Sequence, residues 1–84
     1  MTHKSRTSDE RYIICLFETA DTLGDPYQPL NKYSVGDKVG LHARGVNAIC
    51  QLLMRSNFIK KDGEENIYLT PHGRSLVERL LAEP

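Results

Sequence analysis

Three side chains between residues 44 and 51 carry groups that can read the edges of base pairs. Arg44 offers a guanidinium fork, which matches guanine, and Asn47 and Gln51 offer amides, which match adenine. Residues three and four positions apart lie on one face of an α-helix, so these groups would project together. They are the candidate base contacts of this chain. A solvated polar helix face is the alternative interpretation of the same residues.

Basic residues flank these three positions in the sequence. Residues 38–61 contain five Lys or Arg side chains and one His but no Asp or Glu, although the whole chain has 11 basic and 11 acidic residues and a formal net charge of zero. Phosphate contacts position a protein on DNA without specifying the sequence, and Lys, Arg and His suit that role. The candidate phosphate contacts are Lys38, His42, Arg55, Lys60 and Lys61.

The element that would hold the base contacts is a third helix over about residues 43–56. Apolar residues recur along it at helical spacing and would form a stripe that faces a core. Because the cations and amides fall on the other side, the helix would present them outward. The stripe consists of Val46, Ile49, Cys50 and Leu53.

Capping signals predict the other helices. Thr7 followed by Glu10 has the form of a capping box, and Thr70 followed by Pro71 is typical of a helix start. A glycine at position 36 would let another helix approach closely. An Asp-Gly turn signal between alternating apolar residues predicts a β-hairpin over about residues 58–70. The predicted helices start after Thr7, Asn31 and Thr70, and the first two cover about residues 8–23 and 32–39.

This order of elements, α-α-α-β-β-α with a tight turn before the third helix, resembles a winged helix-turn-helix domain. The resemblance to MarR-like and PadR-like regulators covers roughly residues 30–81. It implies a mostly α fold with a small β-hairpin, in which a three-helix core is followed by a C-terminal helix. Residues 1–7 would be a flexible tail and residues 8–84 the domain. The residues that carry the resemblance are Leu30, Asn31, 35–41, Val46, Ile49, Cys50, Leu53, Asn57, Phe58, Ile59, Leu69, Thr70, Pro71, Gly73 and Arg74.

The resemblance implies a sequence-specific DNA-binding protein, a transcriptional regulator. The third helix would enter the major groove of double-stranded DNA and the hairpin would act as the wing. Asp62, Glu64 and Glu65 at the hairpin tip depart from the basic wings of such proteins, because carboxylates repel phosphate.

That departure favours a second hypothesis, a winged-helix module that docks on another protein and does not bind DNA. Leu52, Tyr27 and Tyr33 would then be its anchors. A third hypothesis, a redox sensor, needs Cys15 and Cys50 close together with at least one exposed, whereas both fall on core-facing positions and are expected to be buried, reduced thiols. The sequence leaves open whether the chain forms a homodimer.

Composition and spacing favour no enzyme. The 84 residues are 39% hydrophobic and 26% charged, which is ordinary for one small globular domain. The histidines are scattered, and no nucleophile, metal-ligand cluster or phosphate-binding loop has matching spacing, so we expect no catalytic residue, metal or cofactor. No apolar run is long enough to cross a membrane and the first residues lack a signal-peptide core, so we expect a cytoplasmic protein.

Overall fold

The computed structural model describes residues 5–83, which form four helices and a three-stranded antiparallel sheet. This confirms a mostly helical fold with a small β-hairpin, and it adds one strand that the sequence did not predict, at Leu30–Asn31. None of the described helices is both long and apolar enough to cross a bilayer. In chain order the elements are α1 (Ser8–Thr22), β1 (Leu30–Asn31), α2 (Lys32–Lys38), α3 (Ala43–Arg55), β2 (Ile59–Asp62), β3 (Asn66–Leu69) and α4 (Pro71–Ala82).

Three helices begin at the predicted caps. The Thr7 side chain accepts from the backbone N–H of Glu10, whose carboxylate accepts in return from the Thr7 N–H at 2.9 Å. Asn31 caps α2, and Thr70 caps α4 by accepting from a backbone N–H one turn on. Each cap satisfies a donor that the helix itself leaves unpaired. Residues 1–4 of the predicted flexible tail lie outside the described residues. In the described part, Arg6 Nη2 donates to the Leu80 carbonyl at 2.7 Å.

Left-handed residues set the ends of α2 and α3. Gly40 has φ 75° and Asn57 has φ 62°, a conformation that glycine adopts freely and asparagine tolerates better than most residues. After Gly40 only two residues precede α3. The two helices joined by this short turn are in contact at Gly36, where a Cβ would overlap Val46 Cγ2. The predicted close approach at Gly36 is confirmed.

The sheet joins the start of α2 to the hairpin. Its strand order is β1-β3-β2, with Leu30 opposite Ile67 and Ile59 opposite Leu69. The Lys32 N–H extends the β1 pairing by donating to the Glu65 carbonyl at 2.8 Å. The first residue of α2 is therefore fixed relative to β3, which places the hairpin beside α3.

The core lies between α1, α3, α4 and the inner face of the sheet. Tyr12 is fully buried at its centre, where its hydroxyl donates to the Lys32 carbonyl at 2.8 Å and accepts from the Cys50 thiol at 3.4 Å. Cys50 is buried as expected, whereas Cys15 is only half-buried, with its sulfur 3.8 Å from the Thr19 hydroxyl. The buried apolar residues are Tyr12, Ile13, Ile14, Leu16, Ala20, Val35, Val46, Cys50, Leu53, Ile59, Ile67, Leu69, Val77 and Leu80.

Candidate nucleic-acid interface

The outer face of α3 carries the cations and amides that the sequence assigned to it. Arg44, Gln51 and Arg55 are exposed, and Asn47 is half-buried. The opposite side of the helix is buried in the core through Val46, Cys50 and Leu53. The side chains of Arg44, Gln51 and Arg55 form no hydrogen bond or ion pair within residues 5–83. These three groups are therefore free to bind a ligand from solvent.

Asn47 differs from its neighbours because α2 holds it. The Tyr33 hydroxyl donates to Asn47 Oδ1 at 3.2 Å, and the Lys32 ammonium lies 5.2 Å from the centre of the Tyr33 ring. Tyr33 is half-buried, although its sequence position suggested an exposed anchor for a partner protein. The contact links the first turn of α2 to the outer face of α3.

A polar groove of about 370 Å³ runs between the start of α2, the face of α3 and the hairpin. Two ammonium groups and two amides share it, and none of the described residues that line it carries a carboxylate. An anion that lies along α3 would therefore meet donors from three elements. We call it the α3 groove. It is lined by Lys32, Tyr33, Asn47, Cys50, Gln51, Met54 and Lys61.

Lys32 is the residue of this groove that sequence reasoning missed. It lies outside the cationic residues 38–61, and it reaches the groove because β1 pins the start of α2 beside β3. The signal available in the sequence was its place directly after the Asn31 cap, at the first position of the helix before α3.

Lys60 and Lys61 lie on opposite faces of the sheet. Lys61 pairs with the buried Ile67 on the inner face and reaches the α3 groove. Lys60 pairs with Tyr68 on the outer face, where it lines a separate groove of about 560 Å³ with Tyr27 and His72. The structure thus brings only one of these two candidate phosphate contacts to α3.

The remaining candidates lie at the ends of α3 or away from it. His42 is the exposed residue before α3, and its side chain forms no capping hydrogen bond. Arg55 is in the last turn of the helix. Lys38, by contrast, lines a hollow with Glu18, Thr19 and other residues near the end of α1. His42 and Arg55 therefore flank the candidate base contacts, and Lys38 does not.

The tip of the hairpin is acidic. Asp62, Glu64 and Glu65 are all exposed there, and within the described residues no ion pair neutralises them. The α3 groove and the hairpin tip are thus adjacent regions of opposite charge, and a polyanion would be attracted to the first and repelled by the second.

Two observations concern metal-ligand side chains and the buried thiol. Within residues 5–83 no three His, Cys, Asp or Glu side chains come together in a way that could hold a metal ion. Burial raises the pKa of the Cys50 thiol above its ordinary value of 9.0, although the hydrogen bond with Tyr12 and the charge of Lys32 act in the other direction. A buried, protonated thiol is a poor nucleophile.

Comparisons with known proteins give no further lead. No protein-family model, curated protein or solved structure matches this chain. A function for the chain therefore rests on the geometry and charge of its own residues.

Proposed function

We propose that this chain is a DNA-binding regulator of the winged helix-turn-helix class, with α3 in the major groove and the β2–β3 hairpin as its wing. The observation that carries the proposal is that the exposed polar face of α3 adjoins a groove with two ammonium groups. The exposed cations and amide of α3 continue into a groove without carboxylates, to which Lys32 and Lys61 add two ammonium groups. The tight turn between α2 and α3, which the sequence resemblance includes, supports it.

The dimensions of α3 suit this role. Its 13 residues make a rod of about 20 Å, and the major groove is about 12 Å wide, enough to admit an α-helix. The N-terminal half of a recognition helix meets base edges first, and Arg44 lies there. Gln51 follows two turns later on the same face. In this arrangement Arg44 pairs with a guanine and Gln51 binds a base further along the groove.

The phosphate backbone would be held from the hairpin side of α3 and from its two ends. Lys32 and Lys61 lie on the hairpin side of the helix, and His42 and Arg55 lie at its two ends. Each phosphate that a cation neutralises releases counterions from DNA, so the affinity depends on salt. A protein with zero net charge can bind in this way because its cations are local to one face.

A salt titration of binding to double-stranded DNA tests the proposal, with Arg44→Ala and Lys61→Ala as variants. We expect the affinity of the wild-type protein to fall steeply with salt. Arg44→Ala should weaken a preferred site about tenfold and relax its specificity, whereas Lys61→Ala should weaken all sequences alike and lower the salt slope by about one. Lys38→Ala is the matched control and should change neither. Absence of DNA binding at low salt would refute the proposal.

A protein-docking module is the second candidate, and one surface favours it. Leu52 is 46% exposed on α3 and lines a hollow of about 170 Å³ with Phe58 and Leu76, beside Asp9 and Glu10 of α1. This hollow lies apart from the α3 groove, since the two share no lining residue. Leu52→Ser should therefore leave DNA affinity unchanged if α3 binds DNA, and should abolish partner binding if the docking function is correct.

A further inference from the structure

The position of Tyr33 is fixed by its neighbours on both sides. Asn31 Oδ1 accepts from the backbone N–H groups of Tyr33 and Ser34 at 2.9 and 3.1 Å, which sets the first turn of α2. The preceding residue, Lys32, is held through its N–H by Glu65 and through its carbonyl by the buried hydroxyl of Tyr12. The Tyr33 side chain thus projects from a rigid point toward α3.

At its other end the Tyr33 side chain fixes an amide. Its hydroxyl donates to Asn47 Oδ1 at 3.2 Å, and both side chains are half-buried. A surface asparagine otherwise rotates, and its carbonyl and NH₂ can exchange places. When the oxygen is held by Tyr33, the NH₂ at the other end of the planar group must lie away from Tyr33.

We propose that Tyr33 is a positioning residue that makes Asn47 select guanine. This inference rests on the proposed function, in which α3 lies in the major groove. The usual asparagine–adenine pairing needs the amide oxygen to accept from adenine N6 while the nitrogen donates to N7. In this chain the Tyr33 hydroxyl occupies one lone pair of the oxygen and turns the oxygen toward α2, so the NH₂ donors are the groups left for the base. Guanine presents two acceptors, O6 and N7, on its major-groove edge, and two donors match them.

Removal of the hydroxyl should change the preferred base without removing the asparagine. In Tyr33→Phe the Asn47 amide is free to turn, and the adenine pairing becomes available. We expect the preference at one base pair to shift from guanine toward adenine by about tenfold, the discrimination that one bidentate contact gives. A purely structural role for Tyr33 would lower affinity for all sequences equally and would shift no base.

The experiment is in vitro selection from a random double-stranded DNA library with four full-length proteins: wild type, Tyr33→Phe, Asn47→Ala and Tyr27→Phe. Tyr27 is a matched control, because it is also half-buried but lines the outer groove away from α3. Support requires that Asn47→Ala loses a guanine preference at one position and that Tyr33→Phe changes the same position to adenine. Tyr27→Phe should select the wild-type site.

The possible failures are distinguishable. If the wild-type protein enriches no sequence, the proposed DNA-binding function is wrong and this inference falls with it. If the wild type enriches a site but Tyr33→Phe enriches the same site, DNA binding stands and the role of Tyr33 is refuted. If Tyr33→Phe does not fold, Asn47→Ala still decides the matter. Loss of a guanine preference supports the inference, because an asparagine that is free to turn selects adenine, whereas loss of an adenine preference or an unchanged selected site refutes it.

Discussion

The hydroxyl of Tyr12 is a buried polar atom at which three helices meet. It belongs to α1, donates to the Lys32 carbonyl of α2 at 2.8 Å and accepts from the Cys50 thiol of α3 at 3.4 Å. Tyr12→Phe would leave the carbonyl and the thiol without this partner inside the core. We expect the free energy of unfolding at neutral pH to fall by about 1–3 kcal/mol, the cost of an unsatisfied buried group. Urea denaturation measures this free energy. Tyr68→Phe, on the outer face of the sheet, is the control and should lower it much less.

Tyr12 and Cys50 also make the free energy of unfolding depend on pH in the alkaline range. Burial raises the pKa of Tyr12 above its ordinary value of 10.0 and that of Cys50 above 9.0. The unfolded chain loses these protons first, so their contribution to stability is full below about pH 9 and declines as the pH rises further. In Tyr12→Phe the decline above pH 10 should be shallower than in the wild type. An unchanged slope would contradict the assignment of the decline to Tyr12.

At the scale of elements, the contact between α2 and α3 positions the whole groove, and Gly36 permits it. A Cβ at Gly36 would overlap the Val46 side chain, a branched residue that is buried and has little freedom to move. Gly36→Ala should therefore push the helices apart, at a cost of about 1–3 kcal/mol in the free energy of unfolding.

Gly45, on α3, is a matched control for this substitution. A Cβ there would lie 3.8 Å from Leu41 Cδ2, an ordinary contact, and the residue is in a helix. Gly45→Ala should raise the free energy of unfolding by about 0.5–1 kcal/mol, because alanine loses less backbone entropy in a helix. Thermal unfolding of both variants tests the pair, and the same sign for both would contradict the packing explanation.

The elements that the sequence predicted correctly are those with local signals. The caps at Thr7, Asn31 and Thr70 depend on groups within one helical turn, so their residue types were sufficient. The outward face of α3 followed from helical spacing for the same reason.

The features that escaped prediction depend on residues far apart in the chain. β1 has only two residues, and it is a strand because Leu30 pairs with Ile67 of β3. That pairing in turn brings Lys32 to the α3 groove. The hydrogen bond from Tyr33 to Asn47 requires the crossing of α2 and α3, which no spacing within one element encodes. The candidate site was therefore predicted on α3 and missed on α2.

At the scale of the whole molecule, the net charge is zero, but basic and acidic residues lie in different regions. Acidic residues concentrate on α1, whereas the charged residues of α3 are all basic. The smallest dimension of the molecule is 24 Å, and the Debye length at 0.1 M salt is about 10 Å. Acids that lie more than this length from the α3 groove are therefore screened from a ligand there. The acids of the hairpin tip belong to the element that lines the groove, so they are the ones that would oppose DNA.

Glu64→Lys tests whether the tip opposes DNA. In the proposed complex the hairpin lies near the backbone, so reversal of one tip charge should raise the affinity for all DNA sequences and steepen the salt dependence by up to about one unit of log–log slope. Asp21→Lys makes the same charge change at an exposed position of α1. It should alter neither the affinity nor the salt dependence. Binding to a selected and a random duplex at several salt concentrations measures both effects. If the two variants behave alike, the tip of the hairpin stands clear of the backbone, and α3 with Lys32 and Lys61 must supply the interface without the tip.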